Sequence, residues 1–189
     1  MQSPKPLAQL AREIEAKIQE IFDELDLSLD DNYTKAYKIF SYIVNNVRYD
    51  ESIMAEKSEA SKLYSYDECI IRDIYRCLCE NRAVCTSEAD AIAYMYQKLG
   101  IPVITMIIKN DQKNLLHEIV VCELNNRLCY CDSTLVREMI EKGIVNYVAP
   151  YVFKFDQKTY FQDFRPGYKI LSVRDATDVS KFIDKDNIY

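Results

Sequence analysis

The stretch VCTSEADAIAYMYQKLGIPVITMII, residues 84–108, contains a change of period that decides the fold. Ala89, Ile92, Ala93, Tyr96 and Leu99 fall three and four apart, the spacing of one buried helix face. Gly100 is placed to end that helix in a left-handed cap, and Pro102 forbids its continuation. Past Pro102 the apolar residues follow a strand's rhythm. The spacing therefore predicts a helix over about 84–99 and a strand over 103–108.

Working outward, the N-terminal side is helical. Leu7, Leu10, Ile14, Ile18, Ile21 and Leu25 form one apolar stripe over 7–25. Asp30, Asp31 and Asn32 offer N-caps for a second helix whose stripe is Tyr33, Ala36, Tyr37, Phe40, Ile43, Val44 and Val47. Residues 50–62 are polar without a period and read as a surface loop. A third helix is expected after Tyr66, with Ile70, Ile71, Ile74 and Leu78 inward. On the other side of the switch, strands are expected at 115–124 and 127–132. A short helix at 135–142, ended by Gly143, and strands at 151–155 and 168–173 follow. Helices first and strands afterwards give an α+β fold with a mostly antiparallel sheet. One domain is expected over 1–189, helical over about 5–100 and sheet over about 102–175.

Composition narrows the function classes. The 189 residues are 49% hydrophobic and 29% charged, with only 3 Gly and 5 Pro, as in a globular domain without long linkers. A formal charge of −6 disfavours nucleic acid as partner, since phosphate binding needs a basic face. No run of about 18 apolar residues is present to span a membrane, and the first residues lack the apolar stretch of a signal peptide. A cytoplasmic location is expected. Seven cysteines cannot all pair within the chain, which fits a reducing compartment better than a disulfide framework. The pairs Cys77/Cys79 and Cys129/Cys131 have one-residue spacing, unlike common zinc knuckles, and the chain holds one histidine. No metal and no cofactor are expected.

The candidate chemistry lies in three residues. Cys85 stands where loop becomes helix, and a helix N-terminus presents unpaired N–H groups and partial positive charge, which favour a thiolate. Arg82 adds to this if it points inward, whereas Glu88 and Asp90 oppose it from the first turns. Alone, Cys85 reads as a buried core cysteine. His117, the single histidine, gains meaning from Asp132. Asn125-Asn126 suits a two-residue hairpin turn, because asparagine tolerates positive φ. With that turn paired positions sum to 251, so Asp132 opposes Ile119 and His117 is its diagonal neighbour on the same face. Such a diagonal spans about 7–8 Å between Cα atoms, within reach of a His–carboxylate hydrogen bond. A slip of one residue would put the two on opposite faces.

These stretches resemble the transglutaminase-like superfamily. Val84-Cys85, a helix and Leu99-Gly100-Ile101-Pro102-Val103 are similar to its bacterial pattern of Gly-Val-Cys, helix, Leu-Gly-Ile-Pro-Ala. Asn125-Asn126-Arg127-Leu128-Cys129-Tyr130-Cys131-Asp132-Ser133-Thr134-Leu135 aligns with its Asp-Gly-Lys-Trp-Tyr-x-Val-Asp-Pro-Thr-Trp, and 38–50, ending in Tyr49-Asp50, resembles the segment before its cysteine. The likeness covers about residues 33–135. It implies a papain-like core, with Cys85 as nucleophile, His117 as proton shuttle and Asp132 fixing the imidazole tautomer. The Cys85 N–H would be one oxyanion donor, with a second from the loop near Tyr49. The chain departs from the pattern at His117-Glu118-Ile119, where the family has His-Ala-Trp, and has no tryptophan at all.

The resulting expectation is a thiol enzyme acting on amide bonds of a protein or peptide, with hydrolysis favoured over transamidation. No calcium loop of the Asp-x-Asp-x-Asp-Gly kind is present. The alternative is a non-catalytic binding module of the same fold, for which 15 tyrosines would supply a protein-facing surface.

Overall fold

A computed structural model describes residues 5–148, 153 and 155–183. Its helical half consists of α1 (Leu7–Leu25), α2 (Asn32–Asn46), α3 (Ile53–Ala60), α4 (Tyr66–Cys79) and α5 (Cys85–Lys98). Two short strands, β1 (Arg48–Tyr49) and β2 (Arg82–Ala83), pair in parallel within it. There follow β3 (Val103–Asn110), β4 (Leu115–Leu124), β5 (Arg127–Cys131), α6 (Ser133–Glu141) and β6 (Tyr168–Asp175). Between α6 and β6 a short helix at Gln157–Thr159 runs into a π-helical turn at Tyr160–Phe164. The fold is α+β, with an antiparallel sheet in the order β5-β4-β3-β6.

The stripes fold as their periods require. Leu10, Ile14, Ile18 and Ile21 of α1, Phe40 and Ile43 of α2, and Ile70, Ile71, Ile74 and Leu78 of α4 are all buried in one core. Asp31 caps α2 by accepting from the Thr34 N–H at 2.7 Å. Ser65 and Glu68 close a reciprocal capping box on α4. Helix α5 is buried along most of its length, between α4 and the sheet. Gly100, at φ +73°, ends it in the left-handed conformation the sequence suggested.

Residues 50–62 differ from expectation, because they hold α3 rather than a loop. The helix has no apolar period to reveal it, as Ile53 is its only buried residue. Ion pairs hold it instead. Lys57 reaches Asp73 and the Thr86 hydroxyl, and Glu56 takes both Arg76 and Arg82. The short parallel β1/β2 ladder was likewise invisible, since two residues show no alternation. Of the expected strand at 151–155, residues 151, 152 and 154 lie outside the described residues. Phe155 forms an antiparallel bridge with Tyr130.

The β4–β5 hairpin has the register on which the site depends. Asn125 and Asn126 adopt φ of 53° and 59°, the left-handed pair of a tight hairpin turn. Leu124 pairs with Arg127 and Val120 with Cys131, both sums being 251. Strand β5 stops at Cys131, so Asp132 is the N-cap of α6 rather than a strand residue. Its side chain accepts from the Leu135 N–H at 2.9 Å.

Candidate active site

Three separate elements bring Cys85, His117 and Asp132 together. Cys85 opens α5 after the extended residue Val84, and it is half-buried. His117 lies near the start of β4 with its side chain 10% exposed. Asp132, buried to 1%, stands at the β5–α6 junction. His117 Nε2 is 2.9 Å from Asp132 Oδ1, and the imidazole also hydrogen-bonds the Cys85 thiol. Burial works against a charged ring. The Asp132 carboxylate and the Cys85 bond outweigh it and lift His117 from the usual 6.5 to about 10. The ring is therefore an imidazolium at neutral pH. Burial also opposes the charge on Asp132, yet His117, Arg165 and the Leu135 N–H hold its carboxyl well below the usual carboxylate range.

The carboxylate of Asp132 is saturated. Oδ1 faces His117 and the Leu135 N–H, while Oδ2 accepts from the Tyr160 hydroxyl at 2.7 Å and from Arg165 Nε at 3.0 Å. Arg165 Nη2 adds a contact at 2.9 Å. Four residues from three elements thus converge on one carboxylate, and rotation of that group would break several bonds together. The Tyr160 phenol is pushed far up by burial and by the neighbouring carboxylate, so it remains a donor.

Tyr49 closes the other side of Cys85. Its hydroxyl oxygen takes a hydrogen bond from the Cys85 backbone N–H, and burial together with the Cys85 charge pushes its phenol up.

The charged residues around Cys85 are arranged differently from the sequence expectation. Arg82 does not point at the thiol, since Asp50 and Glu56 take its guanidinium. Glu88, fully buried, accepts from the Ser133 hydroxyl at 2.6 Å and pairs with Arg137. Asp90 pairs with Arg174, which also binds Glu118 at 2.7 Å. Both acids of the early helix are therefore occupied away from Cys85. Thr86 and Glu118, the chain neighbours of Cys85 and His117, line a cavity of about 400 Å³ with Tyr66, Asp73, Asp90 and Arg174.

No protein-family profile and no curated protein sequence matches the chain. Solved structures of related shape include a TGase at 15% identity and TM-score 0.49, covering 65% of this chain and 31% of that one. Another is a Cytophaga hutchinsonii protein provisionally assigned as a cysteine protease, at 12% identity and TM-score 0.46, covering 91% and 52%. A third is LapG of Legionella pneumophila, at 11% identity and TM-score 0.49, covering 97% and 93%. The chain spans less than two thirds of the length of the first two.

Sequence reasoning missed Tyr160 and Arg165. They lie 28 and 33 residues beyond Asp132, at the start of a π-helical turn and at the residue that caps its end, where the sequence carries no helical or strand period. No local signal marks them. A buried carboxylate with charge to neutralise was the only available hint. The tyrosines expected at the surface divide instead. Tyr94, Tyr96, Tyr130 and Tyr160 are buried, while Tyr66 and Tyr147 are each 63% exposed.

Proposed function

We propose that the chain is a transglutaminase-like thiol enzyme that opens amide bonds of a protein or peptide, with Cys85, His117 and Asp132 as its catalytic residues. One observation carries the reading: the single imidazole of the protein is held between a buried carboxylate and a thiol at a helix N-terminus. A structural histidine needs one partner, whereas a proton shuttle needs this pair of opposed ones.

The reaction follows from the arrangement. Cys85 Sγ, as thiolate, attacks the carbonyl carbon, and the carbonyl π electrons move onto oxygen. The oxyanion is met by the Cys85 N–H and by the Tyr49 hydroxyl, whose raised ionisation keeps its proton available. The tyrosine oxygen occupies the Cys85 N–H until substrate displaces it. As the tetrahedral centre collapses, the C–N bond breaks and the His117 imidazolium protonates the departing amine. The neutral imidazole then takes a proton from water as its oxygen attacks the thioester. Cys85 leaves as thiolate and the carboxylic acid is released. Asp132 holds the ring so that its other nitrogen faces the sulfur throughout.

The test is an activated ester followed by intact-mass spectrometry. The wild-type protein should form a transient acyl adduct on Cys85 and release acid with turnover. Cys85→Ala and His117→Gln should give neither. An adduct on another cysteine, or none with any ester while the protein remains folded, would remove the enzyme reading in favour of a binding module.

A further inference from the structure

We propose that Arg165 is a positioning residue that limits the pull of Asp132 on the His117 proton and thereby sets the alkaline limit of the reaction. The inference rests on the assignment of Cys85 and His117 given above, but its physical core is a matter of buried charge. In the attacking state of the proposed reaction, thiolate, imidazolium, carboxylate and guanidinium sum to zero in this cluster. Without Arg165 the buried sum becomes −1, and the imidazolium alone must balance two anions.

The geometry shows a dedicated contact. Arg165 meets Asp132 Oδ2 with two nitrogens, Nε at 3.0 Å and Nη2 at 2.9 Å, while His117 holds Oδ1. The two cations thus divide one carboxylate between its two oxygens. The arginine side chain is 13% exposed, so water screens the interaction little. Its nearest other acid is Glu138 of α6, at 4.0 Å.

The remaining charged and titratable neighbours have partners of their own. Glu88 of α5 lies near enough to Asp132 to interact with it but is paired with Arg137 and Ser133. Tyr160 donates its proton to Oδ2, and Tyr49 stands beside Cys85. Among the described residues, Arg165 is thus the positive charge outside the triad that contacts this carboxylate directly.

The chain's single histidine makes the experiment unambiguous, because its ¹⁵N imidazole signals can only be those of His117. Wild type, Arg165→Gln, Arg165→Lys and Tyr160→Phe are titrated by NMR. In parallel, the pH profiles of kcat/KM on an activated ester and of Cys85 alkylation by iodoacetamide are recorded. In Arg165→Gln the imidazole should keep its proton to higher pH, and the alkaline limb should move up by about one pH unit. Arg165→Lys should retain the wild-type limb. Tyr160→Phe removes a donor but no charge, so its limb should move less than that of Arg165→Gln. A lower rate in Arg165→Gln with the imidazole titration and both pH profiles unmoved would overturn the proposal and leave a purely structural contact. Should that variant not fold, an unchanged Tyr160→Phe together with a shifted Arg165→Lys would overturn it equally. Failure of the enzyme reading looks different: the imidazole titration shifts as stated, but Cys85 shows no preferential alkylation and no ester is turned over.

Discussion

Two buried aspartates, each paired with an arginine, are driven in opposite directions. Asp132 is held as a carboxylate far below its usual range, whereas Asp90, buried in α5, is pushed up to about 7. Burial raises both. The difference lies in the partners. Asp132 has an imidazolium, a guanidinium, a phenol and a backbone N–H on its two oxygens. Asp90 shares one guanidinium, that of Arg174, with Glu118, whose like charge raises it further. Being mid-helix, Asp90 also has no free backbone N–H to accept from, whereas Asp132 caps a helix. Counting arginine partners alone would score the two aspartates alike. Donor number and like charges separate them.

The largest expected difference between the clusters is in activity. Asp132→Asn should lower turnover of an ester by about 10²–10³, less than the 10⁴ of the serine-protease precedent, because a thiolate–imidazolium pair depends less on its third member. Asp90→Asn should stay within about threefold. Equal losses in a steady-state assay would end the distinction between a catalytic carboxylate and a structural one.

Stability should rank the other way. Arg174→Gln leaves Asp90 and Glu118 buried without their shared cation and should cost about 3–5 kcal/mol at pH 8 in denaturant titrations. The cost should be smaller at pH 5, where Asp90 is protonated. A loss independent of pH would show that Arg174 acts through packing alone.

The pH dependence of stability separates the clusters further. An acid raised from 3.8 to about 7 contributes stability below pH 4, and that contribution is lost as pH climbs through 7. Asp90→Asn should therefore gain on wild type between pH 4 and pH 7, by about 1–3 kcal/mol. His117 shows the companion effect. Lifted to about 10, its contribution is complete below 6.5 and lost as pH rises towards 10. The disadvantage of His117→Gln should shrink over that interval, and chemical denaturation at four pH values would reveal a flat difference if the ion pair were absent.

The smallest effect concerns the hairpin that carries His117 and leads into Asp132. Asn126→Gly at φ 59° removes left-handed strain, partly offset by a freer unfolded chain, and should stabilise by less than about 1 kcal/mol, with activity unchanged within about twofold. A loss of stability there would mean that the asparagine side chain matters to the turn.

Much of this was legible in the sequence because it depends on short-range pattern. The period switch at Gly100 and the left-handed turn at Asn125-Asn126 are local, and the turn fixes the register that sets Asp132 beside His117. Helix α3 was not legible, since it is held by ion pairs with α4 and β2 and a hydrogen bond to Thr86 of α5 rather than by an apolar face. Nor were Arg165 and Tyr160, whose contact with Asp132 depends on the chain returning after about 30 residues. The sequence also named Arg82 and Glu88 as opposing influences on Cys85, yet the fold gives each its own counter-ion. Charges near one another in sequence need not interact. Those that do are chosen by packing.

Asp132 Oδ1 accepts the Leu135 amide while also facing the imidazole. That amide hydrogen is a reporter built into the site. Its exchange with deuterium measures how often the first turn of α6 lets go of the carboxylate, and thus how often the imidazole loses its anchor. Protection at Leu135 should fall together with turnover in variants that loosen Asp132. The neighbouring Val136 amide, bonded to the Asp132 carbonyl, would register only fraying of the helix itself.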